Sequence, residues 1–306
     1  MSKPPPPTRP FDVATADAST TVRLRCGADM PVVGLGGGIF DNSAEDAVAS
    51  AVALGYRLVD TAPKYGQSEA GVGRAVARSG LPRKAFFLST KVCCTSYEAT
   101  MRSFERSLAA LGTDYVDLLL MHSGVCGAAK KEPRSTRHAE ARQVTWRAMR
   151  ALQRSGRVRA VGVCNFSLRQ LRQLRGTPDV VQLEFTPLLQ RWDLLRYCRS
   201  NGIVVQAYGS GGGGWRLWRK HPELELMGRS PLVATAEAHG RSTHQVSLRW
   251  ALQHGLCVIP KAALEQHQRE NLELFGFELD DAQMAAIDAL SANRSVYRFR
   301  DPDAFA

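Results

Sequence analysis

Asp60, Tyr65, Lys91 and His122 are four residue types that together can deliver a proton to an oxygen, and three of them fall where an apolar run gives out. The run Leu58-Val59 ends in Asp60, and a short loop broken by Pro63 and closed by Gly66 then carries Tyr65, the pattern of a strand and the loop leaving its C-terminal end. Phe86-Phe87-Leu88-Ser89-Thr90-Lys91 ends in a lysine, and Val116 to Met121 is followed by His122. A free phenol has a pKa of about 10 and is a reluctant acid near neutrality, whereas an adjacent ammonium stabilises the phenolate and lowers that value. Lys91 can supply the ammonium. A lysine in a partly dry pocket tends to lose its proton, so Asp60 is needed to keep it charged. His122 can hydrogen-bond and orient a substrate oxygen. Singly, each has an ordinary reading: the Asp as a turn former before Thr61, the Lys as a solvated charge, the His as a structural ring. Their recurrence on successive strand ends favours the chemical one.

The elements that would position them form a rhythm. Short apolar runs centred near Val33, Leu58, Phe87, Leu118, Val161, Val181, Val205 and Val258 are each followed by a longer amphipathic or helix-rich segment. Helices are expected near 69–78, 97–111, 141–155, 167–175, 189–201 and 243–254. A further one begins at Ser43, which with Asp46 reads as a capping box, and stops at Gly55. Eight strand–helix alternations predict an α/β fold of the (β/α)8 TIM-barrel type, because parallel strands need crossover helices and eight of them close a sheet without edges. A doubly wound open sheet is the alternative, but Gly34-Leu35-Gly36-Gly37-Gly38 leads into Ile39-Phe40-Asp41 and not into a helix. Thr21 to Met30, with a turn at Gly27-Ala28-Asp29, reads as an N-terminal β-hairpin. Residues 1–19, with prolines at Pro4 to Pro7 and Pro10, read as a disordered tail ahead of a single domain over 20–306. Inserts at 123–140, 209–242 and 292–306 would wall the C-terminal mouth, and Gly211 to Gly214 with Trp215, Leu217 and Trp218 reads as a flap with aromatic anchors.

At 306 residues with 44% hydrophobic content the chain suits one barrel domain, typically about 250 residues. No apolar run approaches the roughly 20 residues of a spanning helix, and no signal-type segment opens the chain, so a cytoplasmic protein without a membrane partner is expected. Seven scattered cysteines lack zinc-site or disulfide-scaffold spacing, which points to reduced thiols and no metal. The formal charge of +11 comes mostly from arginines dispersed through expected helices, with no basic block interleaved with aromatics, and this argues against a nucleic-acid partner.

Taken together these motifs resemble the aldo-keto reductase family. The similarity runs from about Thr21 to Phe305 and rests on Gly55 to Gly66, Ser89-Thr90-Lys91 and Leu118 to His122. It also rests on Gly162-Val163-Cys164-Asn165-Phe166-Ser167, Gln182 with Glu184, Ala207-Tyr208, and Ile259-Pro260-Lys261 leading to Glu270-Asn271. The resemblance implies a barrel that uses NAD(P)H and an Asp60, Tyr65, Lys91, His122 tetrad. It implies that Asn165 and Gln182 bond the nicotinamide carboxamide and that Tyr208 stacks on the ring. Gly37 and Asp60 would lie beside the cofactor, Lys261 and His267 at its phosphate end, and Glu270 and Asn271 near the adenine. The implied activity is hydride reduction of aldehydes and ketones to alcohols with Tyr65 as general acid, an oxidoreductase acting on CH-OH donors with NAD(P) as acceptor.

Three departures bear on that reading. Cys164 stands where serine is usual, and a thiol is a poor donor. Ala262 follows Lys261 where a hydroxyl is common, and His267 takes the place of an arginine near the adenosine phosphate; Lys261 and nearby Arg269 still favour NADPH, with NADH as the alternative cofactor. Ser123 replaces a tryptophan, opening the pocket. The tail Asp301-Pro302-Asp303-Ala304-Phe305 resembles those of microbial-type glyoxal reductases, so a monomer acting on small or varied carbonyl substrates is expected. The competing class is a cofactor-binding regulatory or scaffold protein on the same fold, as in the potassium-channel β-subunits.

Overall fold

The computed structural model describes residues 9–38, 43–127, 132, 135–212 and 225–295. Each expected strand is present: β3 (Leu35–Gly36), β4 (Leu58–Asp60), β5 (Phe87–Val92), β6 (Val116–Met121), β7 (Val158–Cys164), β8 (Val180–Glu184), β9 (Val204–Tyr208) and β10 (Cys257–Val258). They run parallel and pair in chain order. Near-continuous burial of these strands explains their unbroken Val and Leu runs, since both faces of a parallel sheet are covered. The sheet closes on itself. Val33 bridges Val258, Gly34 N–H donates to Val258 O at 2.9 Å, and Gly36 N–H donates to Pro260 O at 3.0 Å. A Cβ at Gly36 would lie 2.5 Å from Ile259 O, so the absence of a side chain there is what lets the closing strands approach. The architecture is a (β/α)8 barrel.

Helices alternate with the strands: α1 (Ala44–Ala53), α2 (Ser68–Arg78), α3 (Tyr97–Leu111), α4 (Arg137–Arg154), α5 (Leu168–Gln173), α6 (Trp192–Ser200), α7 (Ser230–His239), α8 (Thr243–Gln253), α9 (Glu265–Glu270) and α10 (Asp281–Asp288). Ser167, Ser242 and Asp280 form complete capping boxes for α5, α8 and α10. The box expected at Ser43 is not formed. Its backbone, at φ −90° and ψ 7°, has left the extended conformation a capping side chain needs, and Glu45 in the first turn instead pairs with Arg74 and Arg78.

The N-terminal hairpin, β1 (Thr21–Arg23) with β2 (Asp29–Pro31), covers the end opposite the strand C-termini. Cys26 N–H reaches Asp179 just ahead of β8, Arg25 reaches Asn201 O ahead of β9, and Met30 is fully buried. The turn lies earlier than expected, with Gly27 N–H on Leu24 O, which leaves Cys26 exposed. The disordered tail expected over 1–19 is corrected over its described part: Phe11 and Val13 are buried in the core, and Pro10 packs against Gly255. Two apolar side chains without periodicity were enough to dock it. Pro4 to Pro7, the Gly213 to Trp218 part of the proposed flap, and Asp301 to Phe305 lie outside the described residues.

Candidate active site

The C-terminal ends of the strands collect the residues that sequence reasoning selected. Asp60 closes β4, Lys91 is the penultimate residue of β5 and His122 follows β6. Residues two apart on a strand share a face, so Ser89 and Lys91 both point where Asp60 points. Lys91 Nζ lies 2.6 Å from Asp60 Oδ2 and donates to Thr61 O at 3.0 Å, and the side chain is buried. Ser89 Oγ donates to Asp60 Oδ1 at 3.0 Å. Burial pushes the Lys91 value down, but Asp60, with Tyr65 and Cys164, outweighs it, and the ammonium is held up at about 12.

Tyr65 reaches the same point through a tight loop. Tyr65 N–H donates to Ala62 O at 3.0 Å, Gly66 takes φ +62°, and Thr61 Oγ1 bonds Ser68 Oγ at the start of α2. The phenol ring lies under the ammonium, with Lys91 Nζ 5.0 Å from its centroid. Burial raises the Tyr65 value to about 12, with Lys91 the largest opposing influence. This differs from the lowering expected from the lysine alone: desolvation wins, and the phenol is firmly protonated at neutral pH. His122 packs edge-on to Tyr65, centroids 5.7 Å apart. Burial, then Lys91 and Lys64, pull its value down to about 3, so it is a neutral imidazole.

Opposite this group stand the residues that could hold a planar amide. Asn165 follows β7 at φ +57°, a left-handed conformation that asparagine tolerates. Its Nδ2 donates to His122 O at 3.1 Å, and its Oδ1 accepts from Tyr208 OH at 2.6 Å. Tyr208, half-buried at the end of β9, thereby presents a fixed ring. Cys164 Sγ sits between Asn165 Nδ2 at 3.1 Å and Gln182 Oε1 at 3.3 Å. Gln182 Nε2 crosses the barrel to Asp60 Oδ1 at 2.9 Å. Gly37 N–H lies 2.6 Å from Asp60 O, where a Cβ would come within 2.4 Å of that oxygen. An aromatic face flanked by amide donors and acceptors fits a nicotinamide carboxamide, which needs both.

Lys261 is exposed beyond β10. Gln268 in α9 ties that helix to the same loop through Ala262 O. His267 and Glu270 on α9 both act on His244, whose value falls through burial first, then His267, with Glu270 opposing. His244 packs directly on Gly211 of the loop after β9. Asn271 is buried at the end of α9, its N–H on His267 O. Gln245 of α8 donates to Glu270 O and Gln268 donates to Ala47 O of α1, so these residues gather beyond β10, between α8 and α1.

Sequence reasoning passed over Gln206, Ser89 and Glu69. Gln206 lies two residues before Tyr208 and so on the same inward face, a signal that alternation alone offered. Glu69, buried in α2, accepts from Thr90 Oγ1 at 2.6 Å and pins that helix to the strand bearing Lys91.

The closed (β/α)8 barrel gathers a buried lysine–carboxylate pair and a phenol at its C-terminal mouth. The Aldo/keto reductase family matches residues 32–292, and the chain belongs to that family. It is 39% identical to a morphine 6-dehydrogenase of Pseudomonas putida over 90% of this chain and 92% of that one. It is 37% identical to a glyoxal reductase of Bacillus subtilis over 90% and 94%. Among solved structures, an aldo-keto reductase from a Medee basin deep-sea metagenome library superposes with a TM-score of 0.79 at 32% identity, covering 90% of this chain and 96% of the other. No helix among the described residues is long and apolar enough to cross a membrane.

Proposed function

We propose that the protein is an NADPH-dependent reductase of aldehydes and ketones in which Tyr65 is the general acid. The observation that carries this is the placement of Lys91 Nζ, 2.6 Å from Asp60 on one side and 5.0 Å from the Tyr65 ring on the other. A bound NADPH supplies the hydride. The chain's own residues do the rest. Tyr65, protonated at neutral pH, gives its proton to the carbonyl oxygen as negative charge builds there, and the Lys91 ammonium stabilises the phenolate left behind. Asp60 keeps that ammonium charged. His122, neutral, donates one ring N–H to the same oxygen and fixes its direction. Tyr208 offers the stacking face, with Asn165 and Gln182 at the carboxamide, and Gly37 lets the backbone pass close to Asp60. Lys261 and His267 would meet the cofactor phosphates, with Glu270 and Asn271 toward the adenine, and Lys261 favours NADPH over NADH.

For substrate we propose small aldehydes and α-dicarbonyls of the glyoxal class. The kinship with a glyoxal reductase and Ser123 in place of a bulky aromatic support this. Kinship with a morphine 6-dehydrogenase supports a second reading, oxidation of a polycyclic secondary alcohol, which the same residues run in reverse. A monomer in the cytoplasm completes the proposal. Tyr65→Phe is expected to lower kcat with 4-nitrobenzaldehyde by about a hundredfold or more while NADPH still quenches the protein fluorescence with unchanged affinity. Turnover equal to wild type would remove Tyr65 as the acid. A carbonyl panel in which bulky steroids outperform methylglyoxal would overturn the substrate class.

A further inference from the structure

Gln206 is fully buried in β9, one barrel layer below the mouth, where an apolar side chain would pack against Met30 equally well. Among the described residues its Nε2 reaches only the Met30 thioether sulfur at 3.9 Å, a weak acceptor. Its Oε1 is placed differently, accepting from Gln182 Nε2 at 2.7 Å. The buried amide is therefore held for its oxygen.

That oxygen completes a chain across the barrel. Cys164, Gln182 and Gln206 lie side by side on β7, β8 and β9, paired residue for residue in the sheet register. Gln182 Nε2 has two hydrogens and two acceptors, Asp60 Oδ1 at 2.9 Å and Gln206 Oε1 at 2.7 Å. The orientation of the Gln182 amide follows from chemistry, because an ionised Asp60 only accepts, so the atom facing it must be the nitrogen. Gln182 Oε1 is then left toward Cys164 Sγ at 3.3 Å, beside Asn165 at the end of β7. Asp60 is braced twice on Oδ1, by Ser89 from the neighbouring strand and by Gln182 from across the barrel, while Oδ2 takes Lys91.

We propose that Gln206 is a positioning residue for the reaction: by taking the second amide hydrogen of Gln182 it keeps the first on Asp60 Oδ1, and so keeps Asp60 Oδ2 on Lys91 and Lys91 over Tyr65. This rests on the reading of Tyr65 as the acid. Without the Gln206 oxygen, one hydrogen of Gln182 Nε2 is buried with no acceptor, and the amide turns to satisfy it, which releases the cross-barrel brace on Asp60. Gln206 itself reaches neither substrate nor cofactor, so its effect passes wholly through Gln182. The same orientation keeps the Gln182 carbonyl oxygen on the cofactor side, where it can accept from a carboxamide NH₂.

The test is a double-mutant cycle in the full-length enzyme. Gln206→Met, which keeps volume and removes the acceptor, is expected to lower kcat about tenfold with KM for 4-nitrobenzaldehyde unchanged. In a Gln182→Met background the same substitution is expected to do nothing further. In the oxidation of 4-nitrobenzyl alcohol with NADP⁺, which needs the Tyr65 phenolate, the rising limb of kcat is expected to move up by about half a pH unit or more, because a loosened Lys91 stabilises the phenolate less. Additive losses in the cycle, or an unmoved limb beside a lowered melting temperature, would make Gln206 a packing residue and overturn the proposal. Gln206→Ala serves in the same cycle if Gln206→Met does not fold. Tyr65→Phe run in parallel separates the two levels: full turnover there removes the acid assignment itself, whereas loss of turnover there with additivity here removes only the role of Gln206.

Discussion

Lys91→Met is the perturbation whose cost can be worked from the geometry. The ammonium is buried, ion-paired to Asp60 Oδ2 at 2.6 Å and donating to Thr61 O at 3.0 Å. Removing one partner of a buried pair strands the other charge and typically costs about 3–5 kcal/mol. Asp60 would keep two donors, Ser89 Oγ and Gln182 Nε2, so the lower end, about 3 kcal/mol, applies. At about 2.1 cal/mol/K of unfolding entropy per residue, a 306-residue chain should lose about 5 °C in melting temperature for that 3 kcal/mol. Asp60→Asn combined with Lys91→Met removes both charges and keeps a neutral acceptor for Ser89 Oγ and Gln182 Nε2, so most of that stability should return. Turnover should not return, because neither variant has a cation beside Tyr65. Thermal denaturation and kcat on the single and double variants measure both effects. A Lys91→Met protein as stable as wild type, or a double variant less stable than the single one, would refute the view that the pair is held by mutual charge compensation.

Other perturbations address the remaining parts of the site. His122 has a folded value of about 3 against an unfolded one of about 6.5, so the unfolded chain binds the proton first and stability falls as pH drops below 6.5. By pH 5 the loss from this group should be about 2 kcal/mol, and urea denaturation of His122→Asn should show a correspondingly flatter acid limb; an equally steep limb would count against it. Cys164→Ser puts a better donor between Asn165 and Gln182 and should tighten NADPH binding by about 1 kcal/mol, read by fluorescence titration; weaker binding would mean that the longer C–S bond sets the spacing. His267→Arg adds a fixed, forked cation and should raise the preference for NADPH over NADH about tenfold in paired titrations, an unchanged ratio placing His267 away from the 2′-phosphate.

The barrel was legible because buried parallel strands are written as unbroken apolar runs, and each ended on a turn or a polar residue that the structure places at one mouth. Asp60, Lys91 and His122 could be found by that rule alone, and Tyr65 by the loop between them. What could not be read depends on contacts distant in the chain. The bond from Gln182 to Asp60 spans 122 residues and exists only because the sheet closes, which no local periodicity encodes. The Tyr65 value escapes the sequence for a related reason: a neighbouring lysine that lowers it is visible there, whereas the depth of burial that outweighs the lysine is not. Phe11 and Val13 were passed over as tail residues because isolated apolar side chains carry no pattern, yet each finds the core. Ser43 had the right residue type and spacing for a capping box but a near-helical backbone, so it forms none.

The central claim, that this site turns over and does not merely hold a cofactor, is tested most directly by mixing the protein with NADPH and excess 4-nitrobenzaldehyde and following reduced cofactor and alcohol product together. Steady loss of NADPH over many turnovers is expected, with one 4-nitrobenzyl alcohol formed for each NADPH consumed. Fluorescence quenching that reports cofactor binding, with no NADPH consumed and no alcohol formed, would contradict it and make the protein a binder on the same barrel.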